Sequence, residues 1–289
     1  MAGQHDIHIV AGPTASGKSA TALELAAKHS GVIINCDSQQ IYDGLPILSA
    51  QPPDADKKVA PHRLYAHLHP NKVCSAGNWR EIAIPVIEEV LAAGQTPIIC
   101  GGTGLYIKAL MDGLSPMPDI PNDVRDAVVA RYEEIGAQAF YDELERRDPV
   151  MAARFHVNHK ARIIRAMEVL EATGKSLAEW QEGPREKPPS HWNFILHKIL
   201  PERDVLYSRC NERFVWMVDN GALEEVEAFD RDVQSGAVKD GVPLTKALGF
   251  QELRSYLRGE ISKEDAIERS QGATRKYAKR QVTWFSNQL

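Results

Sequence analysis

The chain has 289 residues, 43% of them apolar and 25% charged, which suits a folded globular protein of about two domains and excludes collagen-like, mucin-like and disordered chains. Its 34 basic and 39 acidic side chains leave a net charge of −5, too acidic for a protein that coats nucleic acid by charge alone, though a local basic face stays compatible with it. No run approaches the roughly 20 apolar residues that cross a bilayer, and residues 1–8 show no basic start ahead of an apolar stretch, so a cytosolic protein is expected.

Residues 6–11 (DIHIVA) are short and β-branched, GPTASGKS follows over 12–19, and 20–29 is rich in Ala and Leu. Strand, glycine loop and helix therefore follow one another. The pattern G-x-x-x-x-G-K-[ST] is met by Gly12, Gly17, Lys18 and Ser19 in the setting that gives it meaning. Across Gly12, Pro13, Thr14, Ala15, Ser16, Gly17, Lys18 and Ser19, glycines let backbone N–H groups turn inward around an anion and the helix start adds its positive dipole end. Lys18 supplies a point charge and Ser19 offers a hydroxyl to Mg2+. A diphosphate-binding loop is the prediction.

A second strand is expected over 32–36 (VIINC), with Asp37 at its end, followed by Ser38, Gln39 and Gln40. In a parallel sheet the carboxyl ends of the strands form the ligand edge, which brings Asp37 near the loop. Judged as a residue type alone, Asp37 reads as readily as a general base as it does in a structural role, a helix cap or Mg2+ ligand. The third strand, 96–100 (TPIIC), runs into Gly101, Gly102, Thr103 and Gly104, with Thr103 at the same edge and a helix over 105–111. It ends in glycine where ATP-hydrolysing proteins usually place a metal-holding Asp, which speaks against an ordinary ATPase. Cys36, Cys74, Cys100 and Cys210 lack the close spacing of a zinc site and read as small apolar residues, without disulfides.

Prolines over 114–121 (LSPMPDIP) interrupt the pattern, and helices are expected over 122–135, 137–147 and 160–172. A second punctuated stretch, 183–189 (GPREKPP), closes this block, and 193–200 (NFILHKIL) reads again as a strand. The expected fold class is α/β, a P-loop NTPase-like parallel sheet core with an all-α insertion domain. Its parts are 1–114, the first part of the core; 115–191, the helical insertion; and 192–289, the core's completion with C-terminal helices.

Two stretches are basic and free of acids. Residues 154–165 (RFHVNHKARIIR) put Arg162 and Arg165 on one helical face. Residues 269–284 hold Arg269, Arg275, Lys276, Lys279 and Arg280 with Tyr277 and Trp284 interleaved. Either alone is an ordinary solvated face, but together they gather charge for phosphates and rings for unstacked bases.

Taken together, GPTASGKS, DSQQIY at 37–42, GGTGLYIKAL at 101–110, RIIRAMEVLEATGKS at 162–176, ERDVLYSRCNERF at 202–214, KALGFQEL at 246–253 and KRQVTWF at 279–285 resemble the tRNA dimethylallyltransferases, the bacterial tRNA isopentenyltransferases. The likeness runs in order over nearly the whole chain. It implies transfer of the dimethylallyl group from dimethylallyl diphosphate to N6 of the adenosine just 3′ of the anticodon.

By the same resemblance, the loop would hold the departing diphosphate, with Lys18 on its charge and Mg2+ at Ser19. Asp37 would accept the N6 proton, Thr103 would contact the target nucleotide, and Ser38, Gln39 and Gln40 would line its approach. Arg125, Arg162, Arg165, Lys246, Phe250, Lys279, Arg280, Gln281 and Trp284 correspond to tRNA-contacting segments. Arg203, Arg209 and Arg213 match family arginines, and either diphosphate contact or structural ion pairing is open to them. Departures are Ser49-Ala50-Gln51-Pro52 where the family commonly reads Thr-Ala-Lys-Pro, Lys246 for Arg and Phe250 for Tyr.

The implied partners are the anticodon stem-loop of tRNA and dimethylallyl diphosphate, with no membrane and no obligate protein partner, the chain acting as a monomer. Competing readings are an adenylate isopentenyltransferase acting on free AMP, ADP or ATP, a small-molecule kinase, and a catalytically silent RNA-binding switch.

Overall fold

Runs of β-branched residues that are apolar throughout bury both faces of a strand, which is the signature of a parallel sheet under helices. The computed structural model describes residues 4–289, so of the sequence reading residues 1–3 lie outside the described residues. It shows β1 (His5–Ala11), α1 (Lys18–His29), β2 (Gly31–Asn35), α2 (Asp54–Val59), β3 (His62–Arg63), α3 (Ala76–Ala92), β4 (Thr96–Gly101) and α4 (Gly104–Asp112). After α5 (Asn122–Arg147), α6 (Pro149–Ala152), α7 (Lys160–Thr173) and α8 (Leu177–Glu182) come β5 (Trp192–Lys198), α9 (Arg203–Met217), α10 (Leu223–Ser235), α11 (Phe250–Leu257) and α12 (Lys263–Gln288).

Contacts divide the chain into two compact units, one running to Met111 and resuming at Pro188–Leu289, the other Asp112–Lys187. The division falls a few residues ahead of the proline-based boundaries because Leu114 pairs with Glu186 in an antiparallel bridge, which closes the second unit at its neck.

In the first unit the strands lie in the order β3-β2-β4-β1-β5, all parallel. Ile7, Ile9, Ile34 and Ile99 are sealed from solvent in its main core, and α1 covers a smaller core of Val10, Ala22, Ile33 and Ile98. The two-residue β3 and helix α3 carry no strong sequence signal. Helix α3 begins at a reciprocal cap, in which Asn78 N donates to Ser75 Oγ and Ser75 N donates to Asn78 Oδ1, both at 3.1 Å. No helix among the described residues is long and apolar enough to cross a membrane.

His8 Nδ1 and His197 Nε2 are 2.9 Å apart with their rings stacked, and the His29 ring lies tilted beside His8, 4.8 Å between centroids. Burial, then the neighbouring His29 and His197, lower the His8 pKa below its ordinary value. Because folding depresses this pKa, the folded state binds fewer protons. Stability from this group is therefore fully present above the ordinary histidine pKa of about 6.5 and is lost as pH falls from there through the lower folded-state pKa. The melting temperature is expected to drop by a few degrees between about pH 7 and 5, with His8→Asn flattening that step in a calorimetric pH series.

The second unit is helical. Phe140, Leu144, Met151, Ile163 and Met167 form its own core. The two helices expected over 122–135 and 137–147 run together as α5 across a kink at Gly136 (φ 78°). Buried Asp148 caps α6 by accepting from Met151 N at 3.1 Å and takes a second bond from Ser176 Oγ at 2.7 Å, so one carboxylate fastens α6 to the start of α8.

Candidate active site at the carboxyl edge of the sheet

The glycine loop joins β1 to α1. Ala15 (φ 60°) and Gly17 (φ 98°) both take the left-handed conformation, the alternation that turns successive N–H groups toward one point and makes a nest for an anion. Ser16 Oγ is buried there without a hydrogen-bond partner. Lys18 Nζ donates to Pro13 O at 2.7 Å, and burial lowers the Lys18 pKa while Cys100 and Asp37 work to raise it. Such an ammonium is poised to exchange a weak neutral acceptor for a phosphate oxygen.

Helix α9 supplies two further cations to the same loop. Arg209 Nη1 donates to Ser16 O at 3.3 Å, and Arg213 Nη2 donates to Thr14 Oγ1. Four residues apart, they share a helix face. Neither Arg209 nor Arg213 makes a salt bridge to a described residue. Arg203, also on α9, instead lies over the Tyr207 ring, 5.1 Å from its centroid.

Asp37 stands in a turn that β2 and β4 build together. Asn35, fully buried, donates from Nδ2 to Asp37 O (3.1 Å) and Leu64 O (3.0 Å) and accepts from Asp37 N (2.9 Å), while Asp37 Oδ1 accepts from Gln39 N (2.9 Å). Across the strand ends lies Gly102. A Cβ at that position would sit 3.3 Å from Asp37 Oδ2 and 3.5 Å from Gly12 O, so this glycine separates the carboxylate from the loop by a single backbone thickness. Thr103 Oγ1 accepts from Ser38 N (2.9 Å) and donates to Ser38 Oγ (3.2 Å), which braces the segment carrying Asp37. Gln40 spends its amide N–H groups on Ser49 O and Ala50 O. The amide oxygen of Gln39 is buried without a partner.

Helix α12 seals the site from above the loop. Gln281 Oε1 accepts from Thr14 N and Gln281 Nε2 donates to Gly102 O, both at 2.8 Å, so one side chain ties the phosphate loop to the turn opposite Asp37. Trp284 packs against Gly104. Tyr277 also belongs here: burial, with the Asp37 charge nearby, pushes its pKa up to about 12.

Two residues expected to touch tRNA face inward. Phe250 is fully buried, edge-on to Phe229 at 5.6 Å between centroids, and a side chain without exposed surface holds the core instead of reaching a nucleic acid. Gln281, 7% exposed, is spent on the clasp just described. Lys246, Lys279 and Arg280 are exposed, with Arg280 over the Tyr277 ring at 5.6 Å. In the helical unit Arg125 and Arg162 are exposed, whereas Arg165 is half-buried and paired with Glu168 at 3.0 Å.

Removing the Gln281 clasp leaves a buried carbonyl and a loop N–H unanswered. Gln281→Leu is expected to cost about 1–3 kcal/mol in chemical denaturation and to weaken diphosphate binding in the same preparation.

An anion nest at the head of a helix, cations from a second helix on its rim and a carboxylate two strands along the same sheet edge define an α/β enzyme of the P-loop class. A model of the IPP transferase family matches residues 40–288, and the chain belongs to that family. The match begins beyond the glycine loop and Asp37, but relatives span those too. The tRNA dimethylallyltransferases of Paramagnetospirillum magneticum and Nitrobacter hamburgensis are 46% and 48% identical to this chain over 282 and 290 residues, covering 97% and 99% of it and 88% and 89% of the relatives.

Among solved structures, the tRNA isopentenylpyrophosphate transferase of Bacillus halodurans is 33% identical with a TM-score of 0.67, covering 99% of this chain and 88% of that one. A eukaryotic dimethylallyltransferase acting on tRNA is 26% identical with a TM-score of 0.81, covering 97% of this chain and 70% of that one.

Proposed function

We propose that the protein transfers the dimethylallyl group of dimethylallyl diphosphate to N6 of the adenosine immediately 3′ of the anticodon in certain tRNAs, releasing diphosphate. The observation that carries this reading is the placing of Asp37 across Gly102 from the phosphate loop. The loop would serve a phosphoryl transfer as well; the carboxylate facing it supplies the proton acceptor from which attack by an amine gains.

The adenine N6 lone pair is delocalised into the ring, so attack on C1 of the dimethylallyl group gains from a carboxylate that takes the N6 proton as the new C–N bond forms. The C1–O bond breaks and its electrons leave with the diphosphate, whose growing charge meets the loop N–H groups, Lys18, Arg209 and Arg213. Thr103 and Asn35 hold the Asp37 turn in place for this step. The target base must leave its stack to enter such a site.

Mg2+ fits the oxygen donors present. Ser19 is exposed on the first turn of α1, and among the described residues no cluster of three or more His, Cys, Asp or Glu side chains could hold a metal by itself. The ion would come with the diphosphate, sharing the Ser19 hydroxyl, and supply charge neutralisation there. Exposed Lys246, Lys279 and Arg280, and on the helical unit Arg125 and Arg162, are among the cations available to the anticodon stem-loop. The protein acts in the cytosol as a monomer.

Nucleoside mass spectrometry after incubation with unmodified tRNA, dimethylallyl diphosphate and Mg2+, with AMP and ATP as parallel acceptors, tests the reading. N6-dimethylallyladenosine in tRNA alone is expected. Product on AMP or ATP would reassign the acceptor, and no product on any acceptor would remove the prenyl-transfer reading.

A further inference from the structure

Strand β3 ends at the same carboxyl edge as the glycine loop and delivers Tyr65 to it, held by the bond from Asn35 Nδ2 to the preceding Leu64 O. The Tyr65 ring packs with the small core under α1 and stands edge-on to His62, 5.5 Å between centroids. Its hydroxyl makes no hydrogen bond to any described residue. The ring lines, with Ser19, Gln40, His62 and Cys100, a cavity of about 20 Å3 beside the first turn of α1. That is room for a single oxygen-sized group. Around it, Gln40 Nε2 serves Ser49 O and Ala50 O, and His62 Nδ1 pairs with Ala60 O.

We propose that Tyr65 Oη donates a hydrogen bond to an oxygen of the diphosphate seated in the Gly12–Ser19 loop, making Tyr65 a further binding residue for the prenyl donor. This rests on the diphosphate reading given above. Burial, with Cys100 and Asp37 close by, pushes the Tyr65 pKa well above the ordinary tyrosine range, so the phenol stays a neutral donor. A phenol donor strengthens as negative charge gathers on the departing oxygens, and in a site screened from water its effect exceeds that of the same bond in solution. Nothing in the glycine-loop pattern asks for this residue; the fold supplies it from an edge strand.

Tyr65→Phe keeps the ring and removes only the donor. Titration calorimetry of both proteins with inorganic pyrophosphate and Mg2+ is expected to show binding weaker by about tenfold in the variant, in line with a hydrogen bond to a charged acceptor. Steady-state kinetics should show a higher KM for dimethylallyl diphosphate and a lower kcat, with the KM for tRNA and the melting temperature unchanged.

Equal pyrophosphate affinity in the two proteins would overturn the Tyr65 assignment and leave the diphosphate reading intact. A lowered melting temperature with tRNA and diphosphate affinities falling together would also overturn it, because the hydroxyl would then be holding the fold. If pyrophosphate binds neither protein, the diphosphate reading falls and takes Tyr65 with it.

Discussion

Asp37→Ala is expected to lower prenyl transfer to tRNA by about 100- to 10,000-fold, the usual worth of a positioned general base. Pyrophosphate affinity should stay near the wild-type value, because the loop, Lys18 and the α9 arginines are untouched. Asp37→Asn refines the experiment. Asparagine keeps the Oδ1 acceptor for Gln39 N, and with it the turn, while removing the proton-accepting carboxylate. If the Asn variant is as inactive as the Ala variant yet melts like the wild type, the loss belongs to proton transfer and not to the turn. An Asn variant with full activity would reduce Asp37 to a structural role, the reading its residue type also allows. Single-turnover rates with preformed tRNA complex make the comparison free of product release.

Lys18→Met carries the second large effect, and its sign differs between activity and stability. The ammonium is desolvated by burial and satisfied in the structure by one backbone carbonyl, Pro13 O. Folding therefore works against its charge, and an uncharged side chain of similar length removes that penalty. The variant is expected to melt at or above the wild-type temperature. Activity should fall by about 100- to 1,000-fold, as for loss of one donor aimed at developing charge. A variant that is both stable and inactive places the ammonium on the leaving group; a destabilised one would mean that Lys18 mainly closes the loop on Pro13.

The local elements were readable because each announces itself within a few residues. Gly12, Gly17, Lys18 and Ser19 stand in one octapeptide, and the apolar runs at 6–11, 32–36 and 96–100 match β1, β2 and β4 within a residue at either end. Proline punctuation set the helical insertion at 115–191, and the compact helical unit runs Asp112–Lys187. Arg209 and Arg213 were legible only as matches to family arginines, with diphosphate contact and ion pairing both left open. Strand β3 was invisible, since two residues carry no periodicity, and Tyr65 was lost with it.

Family correspondence placed Gln281 and Phe250 on the nucleic-acid side, and packing places both within. A hydrophobic or amide side chain on an amphipathic helix points to core or partner according to which neighbours cover it, and no spacing rule names those neighbours. Tyr277 in the acid-free stretch looked like a ring for a base, yet the structure sets it beside the Asp37 charge.

The chain's own order of residues thus carries the phosphate loop, the strand-end carboxylate and the division into an α/β core and a helical unit, because backbone conformation and apolar periodicity are short-range properties. Only the folded structure decides that Gly102 alone separates Asp37 from Gly12, that Gln281 from the last helix clasps Thr14 and Gly102, and that Arg213 reaches Thr14 from a segment 199 residues away. Those are contacts between distant stretches, set by how the sheet and its covering helices pack and by the need to pair every polar group that packing buries.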